Sequence, residues 1–365
     1  MIHPSEPPSA PRASAALALA SAFSLACALA LAACGDAATG AGDTDIEATQ
    51  TLKDLGAKVI FATYQDLEAK SGSLADAVAA FKASKSASDL EASKQAWKNA
   101  RRPWEQSEAF LFGPVESKGI DPSIDSWPVN KVDLDGVLAG SAALTKEYID
   151  AQEGTLKGFH TMEYLLFGQG DAKTAAQFTD RELEYLASVT LSFQAAVTLL
   201  KSSWDPAAGD YADTLATAGQ GSVVYPSQKS ALQELVKGMA GICDEVANGK
   251  IGEPFSQSNR ALEESQFSDN SNADFADNIR SAQNLYLGQY GSSVGSGLSS
   301  VVADINPALD ARVKAELQAA IDAIGRMTPT FGEAIAHNKA QVTAAQDAVL
   351  KVKATLEADV LPLFN

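Results

Sequence analysis

The sequence predicts an all-α protein with two tandem helical-bundle domains of the four-helix-bundle type. Three observations support this prediction. Strong helix formers such as Ala, Leu, Lys, Gln and Glu recur throughout, and aromatic residues make up only 7%. Apolar residues return at spacings of three and four, as in a helix with one buried face. No alternation of apolar and polar residues persists long enough to build a sheet.

Composition and periodicity divide the 365 residues into five predicted segments. Residues 1–33 are predicted to be a lipoprotein signal peptide, and 34–45 a flexible tether rich in Gly, Ala, Thr and Asp. The N-terminal helical bundle spans 46–205 and the C-terminal bundle spans 227–365. Gly and Pro residues within 206–226 predict a linker between the bundles.

The first bundle begins at Ile46, where Leu52, Leu55 and Val59 set the helical spacing. Ser71-Gly72 is expected to break this helix, and a second helix runs to about Lys85. The remaining helices follow from the same apolar spacing and from the positions of Gly and Pro. They are predicted at 86–112, 133–152, 155–168, 180–203, 227–248, 257–266, 272–290, 307–325 and 329–361, with a long connection at 113–131 and a Gly/Ser-rich stretch at 288–300.

The N-terminus indicates export. Arg12 precedes a run of small and apolar residues from Ala13 to Ala33, and Cys34 follows Leu-Ala-Ala directly, as in a bacterial lipobox. An uncleaved membrane helix is the alternative, because about 20 apolar residues can span a bilayer. Gly35 and an aspartate follow Cys34 at once, which favours a lipoprotein acylated on Cys34. We therefore expect a membrane-anchored protein that faces the periplasm or lies at the cell surface.

The net charge of −18 excludes nucleic acid as a partner, because so acidic a surface repels phosphate. It would attract cations, but bulk charge does not establish a metal site. The chain has three histidines, His3, His160 and His337, so a His-rich metal site is excluded. The His-Glu-x-x-His sequence of zinc peptidases is absent.

A buried helix carries the first candidate site, in Gly158-Phe159-His160-Thr161-Met162-Glu163. His160 and Glu163 are three residues apart and share one helix face. An imidazole and a carboxylate among Leu and Phe residues must be paired, hydrogen-bonded or metal-bound. Spacing alone favours a structural His–Glu pair, because short motifs often match by chance.

A second candidate is a stripe that mixes large apolar residues with charges at spacings of 4, 3, 4 and 3 on one predicted helix face. Its members are Trp97, Arg101, Trp104, Glu108 and Leu111. Buried charges need partners. Arg101 and Glu108 therefore either pair with carboxylates across the bundle or line a polar cavity shared with His160, and Pro103 should kink the helix.

A third polar cluster begins at Ser268-Asp269-Asn270 and continues through Arg280 and Asn284, which share a helix face with Gly288. Taken alone, this cluster is typical of a solvated helix start with capping residues.

Together the three clusters resemble the imelysin family, also called M75 or insulin-cleaving membrane proteases, and most of all its iron-regulated branch. The resemblance covers the whole mature chain, and its motifs occur in the family's order. They are Gly158-Phe159-His160-Thr161-Met162-Glu163 for the signature Gly-x-His-x-x-Glu, Trp97-x-x-x-Arg101-x-x-Trp104-x-x-x-Glu108, Asp125-Ser126-Trp127-Pro128, Phe267-Ser268-Asp269-Asn270, and Asn278-Ile279-Arg280 through Asn284 to Gly288.

The resemblance implies two helical domains with the signature motif near their interface, and an exported protein associated with iron acquisition. It also implies the metallopeptidase activity proposed for the family. A zinc peptidase needs about three protein ligands and a base, and one His with one Glu leaves that set incomplete.

The leading hypothesis is an exported lipoprotein that binds iron, or an iron-bearing ligand, and works with iron-uptake transporter components. His160 and Glu163 would ligate the metal together with Glu108 and Asp125; iron is favoured, with zinc and manganese left open. Arg101 and Arg280 would balance charge or hold an anionic group of the ligand. The other residues assigned to the site are Trp127, Ser268, Asp269 and Asn284, with Gly158 as the motif glycine. An M75 metallopeptidase and a non-catalytic scaffold or binding protein are the alternatives.

Overall fold

Helices make up most of the described chain, which comprises residues 46–208 and 211–365 of a computed structural model. The predicted signal peptide, the tether and Cys34 lie outside the described residues. The all-α prediction is confirmed. The single sheet of the described residues is a hairpin of β1 (Gln289–Tyr290) and β2 (Ser293–Val294), in which Gln289 pairs with Val294.

The α-helices of the described residues lie in both halves of the chain. The first half contains α1 (Thr49–Asp54), α2 (Phe61–Ser84), α3 (Ala87–Glu105), α4 (Pro114–Ser117), α5 (Asp121–Ile124), α6 (Lys131–Ala139), α7 (Lys146–Asp150), α8 (Gly158–Phe167) and α9 (Asp180–Ser203). The second half contains α10 (Tyr211–Ala216), α11 (Gln228–Asp244), α12 (Gly252–Gln257), α13 (Ser271–Leu287), α14 (Leu298–Ile305), α15 (Pro307–Gly325), α16 (Phe331–His337) and α17 (Lys339–Thr355).

Short turns of other helix types complete the backbone. π-Helical segments lie at Leu55–Ile60, Glu245–Ile251 and Leu356–Val360. Turns of 3-10 helix lie at Glu108–Phe110, Gly154–Leu156, Gln169–Asp171, Ala175–Gln177, Arg260–Leu262 and Leu361–Phe364.

Two helices have the predicted bounds because their ends are marked by capping residues. The side chain of Thr179 accepts the amide of Glu182, whose own carboxylate accepts the amide of Thr179, so α9 begins at Asp180. Asn306 caps α15, which opens with a proline at its first position.

The predicted break at Ser71-Gly72 is wrong, since α2 continues through it. The apolar face of α2 packs against α3 and α9, with Leu67 and Leu74 fully buried. This burial outweighs the cost of about 1 kcal/mol for one glycine inside a helix.

The third helix ends earlier than predicted, at Glu105 rather than Phe112. Pro103 has no amide hydrogen to donate and its ring disturbs the preceding turn, and α3 stops two residues later. Glu108 therefore lies in a 3-10 turn, and the predicted stripe is not one continuous helix face.

One predicted connection and one predicted helix also differ from the structure. The segment 113–131 contains the short helices α4 and α5 rather than a loop without secondary structure. Of the helix predicted at 257–266, only Gln257, which ends α12, and the 3-10 turn Arg260–Leu262 are helical. The rest, through Phe267, is a loop with buried polar side chains, including Glu264.

Packing places the candidate motif, on α8, against two long helices. α8 packs against α3 and α9, while α3 also meets α13 from the second half of the chain. α13 packs against α15, which in turn packs against α17. By their contacts, Ile46–Asn365 form one compact unit, and the division into the two predicted domains stays a prediction. α9 is apolar and long enough to cross a membrane, but it is half-buried among its neighbours, as a core helix would be.

Candidate metal-binding site

Gly158 allows α8 to begin against the end of α5. Its φ is +70°, and a Cβ added there would lie 2.2 Å from the carbonyl oxygen of Ile124 and 3.2 Å from the amide nitrogen of Asp125. Only glycine adopts this conformation without strain and leaves room for the neighbouring backbone. The close approach places Asp125 beside His160, two residues into the helix.

His160 is 1% exposed and lies between two carboxylates. Its Nε2 is 3.2 Å from Oδ1 of Asp125, and its Nδ1 is 3.5 Å from Oε2 of Glu163. Neither nitrogen forms a well-aligned hydrogen bond with another described residue. Burial and Arg101 oppose protonation of the ring, but Asp125 and Glu163 outweigh them and raise the pKa of His160 to about 9. The imidazole is therefore protonated at neutral pH.

Glu163 holds a loop from the second half of the chain. Its Oε1 accepts hydrogen bonds from the amides of Phe267 (3.1 Å) and Ser268 (2.9 Å) and from the hydroxyl of Ser268 (2.7 Å). The other carboxylate oxygen faces His160. One oxygen of this predicted ligand is thus already engaged in fixing the loop that carries Glu264.

Arg101 is fully buried at the centre of a ring of carboxylates. Its guanidinium pairs with Asp125, with Glu105 at 2.7 Å and with Glu264 at 2.9 Å, and its Nε lies 3.7 Å from Asp274. The pairing across the bundle that the sequence left open is therefore present, because Glu264 and Asp274 come from the second half of the chain.

The carboxylates around Arg101 differ in their proton affinity. For Asp125, burial disfavours the charge, but Arg101 and His160 outweigh burial and hold its pKa well below the usual range. For Glu264, Lys250 at 3.0 Å and Arg101 likewise outweigh burial and lower the pKa.

Two other carboxyl groups of this ring have raised pKa values. Burial raises the pKa of Glu105 well above its ordinary value, although Asn278 donates a hydrogen bond of 2.5 Å to it. Burial also raises the pKa of Asp274 to about 7. Within this ring, Asp274 is therefore the carboxyl group that takes up a proton near neutral pH.

Two overlapping groups of side chains have the composition of a metal site. Ligand-type atoms of Asp125, His160 and Glu264 all lie within 4.8 Å of one another, and so do those of Glu105, Glu108 and Asp125. Because metal–ligand bonds to N and O are about 2.0–2.2 Å, opposite ligands of one ion are about 4.2 Å apart. Oε2 of Glu264 and both ring nitrogens of His160 are buried without a hydrogen-bond partner among the described residues. The residues present fit a metal ion.

Two cavities meet at this group. The larger, called here the acidic cavity, has a volume of 510 Å³ and is lined by Glu108, Leu111, Asp121, Asp125, Ser126, Trp127, Thr155, Glu245, Gly249, Lys250, Glu253, Leu262 and Glu264. The smaller, of 250 Å³, includes His160 in its wall. Trp127 and Glu264 line both, and Trp127 is 39% exposed and precedes a cis proline.

The sequence profile of the imelysin family (peptidase M75) matches residues 60–358. The chain belongs to the imelysin family. Iron-regulated protein A of Synechococcus elongatus is 32% identical to this chain over 321 residues, which cover 87% of this chain and 86% of that protein.

Two solved structures have a similar fold. The crystal structure of an iron-regulated protein A precursor from Parabacteroides distasonis superposes with a TM-score of 0.81 at 27% identity, covering 90% of this chain and 97% of the other. An imelysin-like protein from Psychrobacter arcticum has a TM-score of 0.69 at 15% identity, covering 88% of this chain and 97% of the other, and shows the fold alone.

The remaining residues that the sequence assigned to the site contact other side chains near His160 and Arg101 or farther away. Ser268 binds Glu163, and Asp269 pairs with Arg260. Arg280 pairs with Asp277 at 2.8 Å, and Asn284 donates to Gln106 at 3.2 Å. Asp269, Arg280 and Asn284 are not among the residues that line the two cavities. His337, the other described histidine, is an exposed neighbour of Glu333.

Three residues of the candidate site were not predicted from the sequence. Glu105 could have been found, because it lies four residues after Arg101 and faces the same way on α3. Glu264 carries no such local signal, since it lies in a loop that reaches Arg101 through tertiary packing alone. Lys250 lies in the π-helical segment Glu245–Ile251, a feature that apolar periodicity does not reveal.

Proposed function

We propose that this imelysin-family protein binds a metal ion, with iron the favoured metal, through Asp125, His160 and Glu264. The observation that carries the proposal is the convergence of their ligand-type atoms within 4.8 Å around a histidine whose ring nitrogens have no hydrogen-bond partner in the part of the chain that the structure describes. The name of the relative from Synechococcus elongatus, iron-regulated protein A, supports iron. Imidazole with carboxylates also suits manganese and zinc.

Glu163 has an orienting role in this proposal, in place of the direct ligand role predicted from the sequence. Its Oε2 lies beside Nδ1 of His160, on the side of the ring away from Asp125. A carboxylate at Nδ1 fixes the tautomer and leaves Nε2 available as a ligand. Metal at Nε2 must displace a proton from His160, so affinity should increase with pH up to about 9.

The test is metal binding by the purified full chain, measured calorimetrically with Mn²⁺ and, without oxygen, with Fe²⁺. Asp125→Asn and His160→Ala should each weaken binding at least about tenfold. His337→Ala is the matched control because its histidine is exposed at 73% of its side chain, and binding should not change. Unchanged stoichiometry and affinity in both site variants would refute the assignment.

Export and anchoring are a further part of the proposal. The apolar run Ala13–Ala33 and the cysteine after it support a lipoprotein held by acylated Cys34, facing the periplasm or the cell surface and passing iron to transporter components. Cys34→Ala should move the protein from the membrane to the soluble fraction, or stall it uncleaved without lipid. Normal cleavage and membrane retention of that variant would contradict the lipid anchor.

A metallopeptidase is the second candidate function, and one observation favours it. The structure supplies a third ligand-type side chain, Glu264, to the pair His160 and Asp125, which completes the usual number of protein ligands. Glu108 lines the adjoining cavity, and burial raises its pKa well above the ordinary value, as suits a proton-transferring group. Cleavage of a peptide library that a chelator stops and Glu108→Gln abolishes would establish this function; no cleavage by the metal-loaded protein would exclude it.

A further inference from the structure

The acidic cavity is far larger than a bare ion requires. Water occupies about 30 Å³ per molecule in the liquid, so six waters around a metal need about 180 Å³. The cavity offers 510 Å³ and opens beside the candidate ligands Asp125 and Glu264. It therefore has room for a metal ion with its complete hydration shell.

The charged side chains that line the cavity are mostly acidic. Six carboxylates line it, with one lysine. Lys250 is 3.0 Å from Glu264 and 3.7 Å from both Glu105 and Glu245, and its side chain is only 9% exposed, so it is already engaged. Nearby carboxylates hold the pKa of Lys250 well above its ordinary value even though burial opposes this.

The carboxylates form two levels. Glu245 and Glu253 are exposed at the mouth, on the π-helical segment and on α12, while Asp125 and Glu264 form the floor. Glu264 presents an Oε2 that is buried and has no hydrogen-bond partner among the described residues. Its side chain is 10% exposed, so this oxygen is shielded from bulk water.

Among the described residues, neither arginine assigned to the site is free to receive an anion in this cavity. Arg101 is fully buried and paired with four carboxylates, and Arg280 pairs with Asp277 away from the cavity lining. The role of anion holder that the sequence suggested for these two arginines thus has no place in the cavity. An anionic chelate would meet mostly carboxylates, because Lys250 is the one cationic side chain among the lining residues and it is already paired.

From these observations we infer that the acidic cavity is a cation-selective vestibule, which admits the metal as a positively charged hydrated ion and rejects anionic carboxylate chelates. The inference rests on the proposed metal site and names the form in which its metal arrives. Glu245 and Glu253 attract the ion at the mouth, and Asp125 and Glu264 receive it at the floor. Clefts lined by charge of one sign raise the association rates of opposite charges, most of all at low ionic strength.

Two substitution-inert cobalt(III) complexes test the selectivity. Hexaamminecobalt(III) carries three positive charges and resembles a hydrated ion in size, whereas trisoxalatocobaltate(III) carries three negative charges and resembles a carboxylate chelate. Mn²⁺ association with the full chain is followed by stopped-flow tryptophan fluorescence, because Trp127 lines the cavity and the indole of Trp104 donates a hydrogen bond to Asp125. Hexaamminecobalt(III) should slow Mn²⁺ association competitively, and trisoxalatocobaltate(III) should have no effect.

The variant Glu245→Gln/Glu253→Gln tests the mouth. It should slow Mn²⁺ association by about three- to tenfold at low salt, less at about 0.5 M salt, and leave dissociation unchanged. The control Glu91→Gln/Glu184→Gln removes the same charge from exposed positions on α3 and α9 and should associate at the normal rate.

The outcomes separate the two proposals. Equal competition by both cobalt complexes, or equal rates in the mouth variant and its control, would overturn the vestibule while Mn²⁺ binding still supports the metal site. A wild-type chain that binds no Mn²⁺ would overturn the metal site and the vestibule with it.

Discussion

Replacing Gly158 by alanine tests how the start of α8 holds Asp125 beside His160. The added methyl group would lie 2.2 Å from the carbonyl oxygen of Ile124, a backbone atom that moves only if α5 moves. The backbone of Gly158 also has a φ of +70°, which an L residue adopts only with strain.

The size of the effect follows from these two contributions. A non-glycine residue in the left-handed region costs about 1–2 kcal/mol. Forcing an extra carbon into a packed region costs a further 1–3 kcal/mol or so. Gly158→Ala should therefore lower the free energy of unfolding by about 2–5 kcal/mol, a large part of the 5–15 kcal/mol typical of a folded domain.

Urea denaturation, followed by the fluorescence of the buried tryptophans, measures this change. Gly241→Ala is the matched control: it lies in α11 with no atom within 4 Å of the added Cβ, and it should stabilise by about 0.5–1 kcal/mol. Because the clash displaces Ile124 and Asp125, Mn²⁺ affinity should also fall in Gly158→Ala. Equal stability in the two variants, or an unchanged affinity, would refute the reasoning.

Three further changes test the buried network. Glu163→Ala removes the acceptor of three hydrogen bonds and should lower the free energy of unfolding by about 3–5 kcal/mol, against about 1 kcal/mol for Ser268→Ala; equal losses in urea titrations would contradict the loop-holding role. Arg101→Met should cost about 3–5 kcal/mol at pH 8 and less at pH 5, where its partner Asp274, whose pKa is raised to about 7, is protonated; a loss independent of pH would contradict it. Because its pKa is raised to about 9, His160 contributes stability that is complete below pH 6.5 and is lost as the pH rises through 9, by roughly 3 kcal/mol. Unfolding curves from pH 6 to 9.5 should show this decline in the wild type and a flatter profile in His160→Gln, and equal profiles would contradict it.

Part of the fold could be predicted because it depends on residues close together in the sequence. The apolar spacing predicted an all-α chain. The capping residue before Asp180 marks the start of α9, and Pro307 marks the start of α15. Two other helix bounds were predicted wrongly from the sequence. Ser71-Gly72 continues α2 because the surrounding helix face is buried, and a single proline near the end of α3 removed Glu108 from the expected helix.

The candidate site divides in the same way. The motif on α8 and the partners on α3 have short spacings, so the pairing of His160 with Glu163 could be anticipated. The placement of Asp125 beside His160 depends on the close approach at Gly158, which the sequence marks only by a glycine. Glu264 and Lys250 come from a loop and a π-helical segment more than eighty residues farther along the chain, and no local pattern connects them to His160.

The metal site is tested most directly by anomalous X-ray scattering from crystals of the protein grown with Mn²⁺ or Fe²⁺. The strongest anomalous peak should lie at bonding distance from Nε2 of His160 and from carboxylate oxygens of Asp125 and Glu264. A strongest peak at exposed carboxylates such as Glu333 beside His337, with none at His160, would contradict the proposed metal site.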